Sequence, residues 1–251
     1  MGAAYFDYLN TALLELVGSG HTVLDVGCGA GAMGEAMERL GNKVTGVDLD
    51  EQAIVVAGGR MSRALVGDVT DVDAVARSAG TGFDRIVFAD VLEHLPDPAP
   101  VLARYRALLA PGGRLLISLP NVAAWTVRLS LLCGRFEYAE SGILDRTHLR
   151  FFTRGSARRM IEEAGYTVER RGLTPHLVRA LWPLIRAVLR RRDGAGGAAV
   201  LDSPAYRIYR RWVEPVETLL ARLAPGLLAC QFVFEAAPAV VSESTPRSRK
   251  S

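Results

Sequence analysis

The chain has 251 residues, 49% of them hydrophobic, which is enough for one domain with a sizeable core. Its 30 Lys and Arg against 27 Asp and Glu leave a formal charge of only +3, too mild to suggest a nucleic-acid partner. Three cysteines, Cys28, Cys133 and Cys230, form no metal-ligand spacing, so a reduced, cytoplasmic protein is expected. Asp7 and Glu15 interrupt the apolar segment that a secretory signal would need, and no uncharged apolar run reaches the roughly 18 residues of a spanning helix.

In chain order, residues 4–17 read as an amphipathic lead-in helix with Leu9, Leu13, Leu14 and Val17 on one side. Thr22–Val26 is an apolar strand, and Ala32–Leu40 a helix closed by Gly41. Strand Lys43–Val47, helix Glu51–Ala57, strand Ala64–Val66 and helix Asp71–Ser78 follow. Strand Phe83–Ala89, helix Pro98–Leu109, a turn at Pro111-Gly112-Gly113 and strand Arg114–Leu119 continue the alternation. Apolar strands that alternate with helices predict a parallel sheet covered on both faces. Beyond Pro120 the pattern predicts a helix over Ala123–Leu132, a polar stretch with aromatics from Phe136 to Phe152, and a helix over Gly155–Ala164 capped by Thr153. Tyr166–Arg171 and Cys230–Glu235 read as the last strands. The fifty or more residues between them are too many for a hairpin and predict an inserted helical segment, about 175–228. The end of the chain, 241–251, reads as a disordered tail.

The run Val23-Leu24-Asp25-Val26-Gly27-Cys28-Gly29-Ala30-Gly31 is a buried strand feeding a glycine turn, and Asp48 ends the next strand. An acid about 20 residues beyond such a turn is placed for ribose hydroxyls. Gly29-Ala30-Gly31-Ala32-Met33-Gly34 also satisfies G-x-G-x-x-G, which keeps an NAD(P)-dependent oxidoreductase as an alternative. Asp25 argues against it: a buried carboxylate is poor company for a pyrophosphate and suits a ligand with an ammonium and a sulfonium.

With the later segments Phe83-Asp84-Arg85-Ile86-Val87-Phe88-Ala89 and Leu108-Leu109-Ala110-Pro111-Gly112-Gly113-Arg114-Leu115-Leu116, the chain resembles the class I S-adenosylmethionine-dependent methyltransferases over residues 20–172 and again near 230. The resemblance implies an α/β, doubly wound, seven-stranded, mostly parallel sheet with an antiparallel last strand. One domain over 1–240 is the expectation, with the helical insertion before the last strand. It implies S-adenosylmethionine as cofactor. Asp25, Gly27, Cys28, Gly29 and Gly31 would line its methionine end, Asp48 and Leu49 the ribose, and Asp68 and Val69 the adenine. Ala89 would lie near the reacting methyl, and Tyr5 would help cover the cofactor.

The strand-four exit, Asp90-Val91-Leu92-Glu93-His94-Leu95-Pro96-Asp97-Pro98, and the later Asp145-Arg146-Thr147-His148-Leu149-Arg150-Phe151-Phe152-Thr153 resemble the ubiquinone-pathway O-methyltransferases and related bacterial small-molecule enzymes. A hydroxyl acceptor needs a proton removed, so His148 is the expected general base and Asp145 its orienter. His94 is expected to be structural. Some relatives, among them small-RNA 2′-O-methyltransferases, hold a divalent metal with an E-x-x-E-H motif and a distant His. Here the pattern is Asp90-x-x-Glu93-His94 with His148; Asp stands in place of the first Glu, so the expectation is no metal, with a mixed N/O site for Mg²⁺, Mn²⁺ or Zn²⁺ as the weaker reading. Trp125, Phe136 and Tyr138 could form an aromatic acceptor wall or loop core.

Arg179, Arg186, Arg190, Arg191 and Arg192 interleave with Leu177, Leu181, Trp182, Leu184, Ile185, Val188 and Leu189. Such a basic amphipathic segment reads as a lid or a homodimer contact, with peripheral membrane contact the weaker reading. The expected partner is a small-molecule acceptor, methylated on oxygen in secondary-metabolite, sugar or quinone-type biosynthesis. N-methylation of a small molecule or peptide, and a non-catalytic cofactor-binding interaction module, stand as alternatives.

Overall fold

The computed structural model describes residues 9–176 and 209–239. The elements, in order, are α1 (Thr11–Val17), β1 (Thr22–Val26), α2 (Ala32–Arg39), β2 (Lys43–Asp48), α3 (Glu51–Ala57), β3 (Arg63–Val66), α4 (Val72–Ala79) and β4 (Phe83–Ala89). A 3₁₀ turn (Leu92–His94) then leads to α5 (Pro98–Tyr105), a second 3₁₀ turn (Arg106–Leu108), β5 (Leu109–Pro120), α6 (Trp125–Leu132), α7 (Arg154–Glu163) and β6 (Tyr166–Pro175). A π-type turn over Tyr209–Val213 precedes α8 (Glu214–Leu223), α9 (Pro225–Leu228) and β7 (Ala229–Pro238).

These strands form one seven-stranded sheet in the order β3-β2-β1-β4-β5-β7-β6. β7 runs antiparallel to both β5 and β6, and the pairs among the first five strands are parallel. The expected fold class is therefore the observed one. The chain reverses direction across the sheet between β1 and β4, and in open α/β sheets ligands bind at the carboxyl ends of the strands flanking such a point.

Local chemistry accounts for the boundaries. Asp50 caps α3 by accepting from the N–H groups of Gln52 and Ala53, and Asp71 caps α4 by accepting from Ala74. Thr153 and Ser156 form a reciprocal capping box on α7. Two apolar clusters cover the sheet, one on each face. Leu24, Ile86, Phe88, Tyr105 and Phe234 belong to the larger, and Val23, Met37, Val44, Val87 and Leu116 to the smaller.

The expected break at Pro111-Gly112-Gly113 is not a turn between elements. β5 begins at Leu109, and the register against β4 shifts between Phe83 and Arg85. A Cβ on Gly113 would fall 2.8 Å from the carbonyl oxygen of Phe83, so the glycine absorbs a bulge where a side chain would block the pairing. The last two strands are longer than their alternating cores predict. In the expected helical insertion, residues 214–223 and 225–228 are helical, and the arginine-rich segment 177–192 lies outside the described residues, as do Tyr5 and the tail. Among the described residues, no helix is long and apolar enough to cross a membrane.

Candidate active site

The loop between β1 and α2 is folded back onto the end of β2. Gly27 and Cys28 donate their N–H groups to the carbonyl of Val47 at 2.8 and 3.1 Å, and Gly29 donates to Asp48 Oδ2 at 2.7 Å. Two glycines are required for different reasons. Gly27 has φ 71°, and a Cβ there would fall 2.6 Å from Val91 Cγ2. Gly29 has φ 51°, and no protein atom lies within 4 Å of the Cβ it lacks, so its backbone faces open space beside Asp48.

Asp25 lies beneath this loop, 1% exposed, and its Oδ2 has no hydrogen-bond partner. Burial, and then the charge of Asp48, push its carboxyl up to about 7. Cys28 turns its thiol toward Gly46 in the apolar cluster that also holds Met61, and burial, then the charges of Asp25 and Asp48, push that thiol up. Its side chain therefore serves as packing for the loop. Asp48 also accepts from the N–H of Asp50 at 2.9 Å, and Leu49 is exposed. Asp68 sits at the surface, accepting from Thr70 N–H and Oγ1 at 2.8 and 2.7 Å, and these bonds hold its carboxyl below the usual range. The carbonyl of Val69 accepts from the Tyr105 hydroxyl at 2.9 Å.

At the end of β4, Ala89 is followed by Asp90, the only non-glycine with positive φ among the described residues, at 56°. The 3₁₀ turn after it carries Glu93 and His94. Glu93 is 1% exposed, and neither carboxylate oxygen has a hydrogen-bond partner. Burial, then the charges of Asp90 and Asp145, push its carboxyl well up. The backbone carbonyl of Glu93 accepts from the N–H groups of Leu149 and Arg150 at 2.8 and 3.0 Å, and Arg150 Nε donates to the carbonyl of Pro96 at 2.7 Å. Residues 145–150 are thereby fastened beside the end of β4.

This fastening brings His148 to Glu93. Its Nε2 lies 4.0 Å from Glu93 Oε1, and its Nδ1 lies 3.2 Å from the carbonyl oxygen of Ile143. A proton on Nδ1 that donates to that carbonyl leaves the lone pair on Nε2. Burial, then His94, hold the imidazole below its ordinary value. The expected orienter, Asp145, is not the one found. Its Oδ1 accepts from Thr147 N–H and Oγ1 at 2.8 and 2.7 Å, and Ile143 orients the ring instead. Although burial raises Asp145, these bonds and the two nearby histidines hold it low. His94 does serve structure, with Nδ1 3.2 Å from the carbonyl oxygen and Oγ1 of Thr147. Its ring centroid is 4.9 Å from that of His148.

A family model described as a methyltransferase domain matches residues 1–170. The chain belongs to the class I S-adenosylmethionine-dependent methyltransferases. The ubiquinone biosynthesis O-methyltransferase of Psychrobacter arcticus is 33% identical over 169 residues, 64% of this chain and 64% of that protein. The protein of the same name from Thiobacillus denitrificans is 37% identical over 158 residues, 60% of this chain and 66% of that one. The matched stretch thus spans less than two thirds of the length of each of these relatives. A SAM-dependent methyltransferase from Archaeoglobus fulgidus superposes with a TM-score of 0.52 at 16% identity, covering 86% of this chain and 85% of that one, which shows the shared fold.

Family membership removes the dehydrogenase alternative, and the residues at the β1 and β2 ends fit the family's cofactor. The unpartnered, buried Asp25 oxygen needs a cation or a donor, and the methionine ammonium of S-adenosylmethionine is one. Asp48 presents a carboxylate beside the open side of Gly29, where ribose hydroxyls would find acceptors.

Beside the end of β4, Glu93, His94 and His148 each offer one ligand atom, all within 4.8 Å of one another. Asp90 is outside this group, its carboxylate taken by Ser118 and Gln231. Phe136 and Tyr138 are about half exposed and cluster with Phe151, whose ring centroid is 6.1 Å from that of His148. Trp125 belongs elsewhere, beside His176 at 6.4 Å. Sequence reasoning missed Ile143, whose backbone does the orienting, and Ser118 and Gln231, whose roles depend on strand register.

Proposed function

We propose that this methyltransferase transfers a methyl group from S-adenosylmethionine to an oxygen of a small-molecule acceptor. The observation that carries the proposal is His148: a buried imidazole, held from behind by Ile143, with a free Nε2 beside the end of β4. S-adenosylmethionine supplies an electrophilic methyl on a good leaving group, so the chain's own residues have to position the acceptor, exclude water and remove a proton. Nε2 of neutral His148 takes the acceptor's hydroxyl proton. Phe136, Tyr138 and Phe151 offer an apolar aromatic face for the acceptor's ring or hydrocarbon part. The relatives' names support an oxygen acceptor in a quinone-type pathway.

The test is transfer of labelled methyl to a panel of phenols, catechols and sugar hydroxyls by wild-type protein and His148→Gln. The variant should lose roughly 10²–10⁴-fold in turnover, the usual worth of a general base, with S-adenosylhomocysteine affinity unchanged. Unchanged turnover would remove His148 from the chemistry. Transfer only to amines would replace the oxygen reading by an N-methylation.

A second reading has its own observation. Glu93 is buried with both oxygens unpartnered, and two imidazoles face it. Such a mixed O/N set suits a divalent cation that would bind and acidify the acceptor hydroxyl. Activity that is insensitive to chelator would decide for His148 acting alone.

A further inference from the structure

A half-buried polar thread runs from the cap of α1 to the end of β4. Asn10, 3% exposed, caps α1 by accepting from Leu13 N–H at 3.1 Å. Its Nδ2 donates to Gln231 Oε1 at 3.4 Å, and the same oxygen accepts from Thr174 Oγ1 at 3.2 Å. At its other end the Gln231 amide donates to Asp90 Oδ2 at 2.5 Å, while Ser118 Oγ donates to Asp90 Oδ1 at 3.0 Å. A primary amide both accepts and donates, so one side chain can join the two ends.

Asp90 needs holding. Its left-handed backbone is tolerated by Asp but persists only where the surroundings over-determine it. Beyond that turn, Val91 lies directly against Gly27 of the β1–α2 loop, the donor loop of this reading, too close to admit even one added carbon.

From this geometry we infer that Gln231 is a positioning residue for the methyl donor: it pins Asp90 in its left-handed turn, keeps Val91 seated on Gly27, and ties both to the cap of α1. Gln231 is on β7, opposite Pro120 in the register with β5, and acts through Asp90 and Val91. Docking of the lead-in helix and the shape of the donor loop are then one event. The inference rests on S-adenosylmethionine as donor and not on the acceptor, so it stands apart from the proposed oxygen chemistry.

The test is calorimetric titration of S-adenosylhomocysteine into the full chain carrying Gln231→Met, Asn10→Ser, or both, with hydrogen exchange read at Leu13 and Leu14. Methionine keeps the bulk of glutamine, and serine keeps a capping oxygen without the reach to Gln231. Gln231→Met should weaken binding roughly tenfold, the worth of one hydrogen bond to a carboxylate. Asn10→Ser should weaken it about threefold and add nothing once Gln231 is replaced, because the path is already cut. Both should speed exchange in α1. Wild-type affinity in a cooperatively folding Gln231→Met, or two effects that simply multiply, overturns the inference. If Gln231→Met does not fold, Ser118→Ala takes its place, since it removes the other donor to Asp90. Unchanged affinity in both Ser118→Ala and Asn10→Ser overturns the inference equally.

Discussion

His148 and Glu93 face each other across 4.0 Å, nitrogen to oxygen, with the imidazole anchored on its far side and the carboxylate without a partner. The gap is too long for a hydrogen bond. It is close to what two ligands of one cation require, since metal–nitrogen and metal–oxygen bonds of about 2.0–2.2 Å bring neighbouring ligand atoms within roughly 3–4 Å. The two readings of the acceptor side therefore differ over what occupies a single short gap.

The first prediction separates them without an activity assay. Thermal unfolding is followed in chelator and then with Mg²⁺, Mn²⁺ or Zn²⁺ added. A cation held by Glu93, His94 and His148 binds the folded chain and raises its midpoint with the logarithm of its concentration once that exceeds the dissociation constant. Glu93→Gln keeps the shape, removes the charge and should abolish that rise. A midpoint that no cation moves in the wild type leaves His148 as the sole proton acceptor.

The donor loop supplies the second prediction. Gly27→Ala puts a methyl 2.6 Å from Val91 Cγ2 at a residue with φ 71°. Overpacking and left-handed strain together cost about 2–4 kcal/mol, read as a lower urea midpoint with an unchanged slope. Adding Val91→Ala relieves the clash and leaves the strain, so it should recover only part of the loss. Full recovery would show that the backbone tolerates alanine there.

A third prediction concerns the helix that follows the acceptor loop. Thr153 and Ser156 satisfy each other's backbone at the start of α7. Thr153→Ala should lower stability by about 1 kcal/mol, the ordinary worth of a cap, and leave S-adenosylhomocysteine affinity untouched, because α7 packs on β6 and α5.

How much of this was legible depends on the range of the interaction. The strands around Asp25, Asp48 and Ala89 are short apolar runs whose ends are marked by glycine and acid, so the sheet and donor loop could be read locally. Thr153 could be read as a cap for the same reason. Chain proximity to His148 suggests Asp145 as its partner, whereas the side chain closes a turn with Thr147 only two residues away. Gln231 carries no local signal. Its meeting with Asp90 exists only because β7 inserts antiparallel between β5 and β6, a register set by the whole sheet.

The last prediction follows from the buried acid of the donor loop. Burial and Asp48 raise Asp25 from 3.8 to about 7. A carboxyl whose folded value exceeds its unfolded one contributes its full stability below the unfolded value and loses it as pH rises through the folded value. The ligand-free protein should therefore lose stability between about pH 4 and pH 7, by a few kcal/mol from this group. Asp25→Asn should remove that loss and be the more stable protein above pH 7 in urea titrations. Binding should run the other way. An ionised Asp25 would receive the methionine ammonium, so wild-type affinity for S-adenosylhomocysteine should climb as pH passes about 7, while Asp25→Asn binds at least tenfold more weakly with a flatter profile. The asparagine variant thus trades donor affinity for stability, as expected of a charge that only its ligand satisfies. Were it to bind S-adenosylhomocysteine as tightly as the wild type at pH 8, the ammonium would have to be held by other groups.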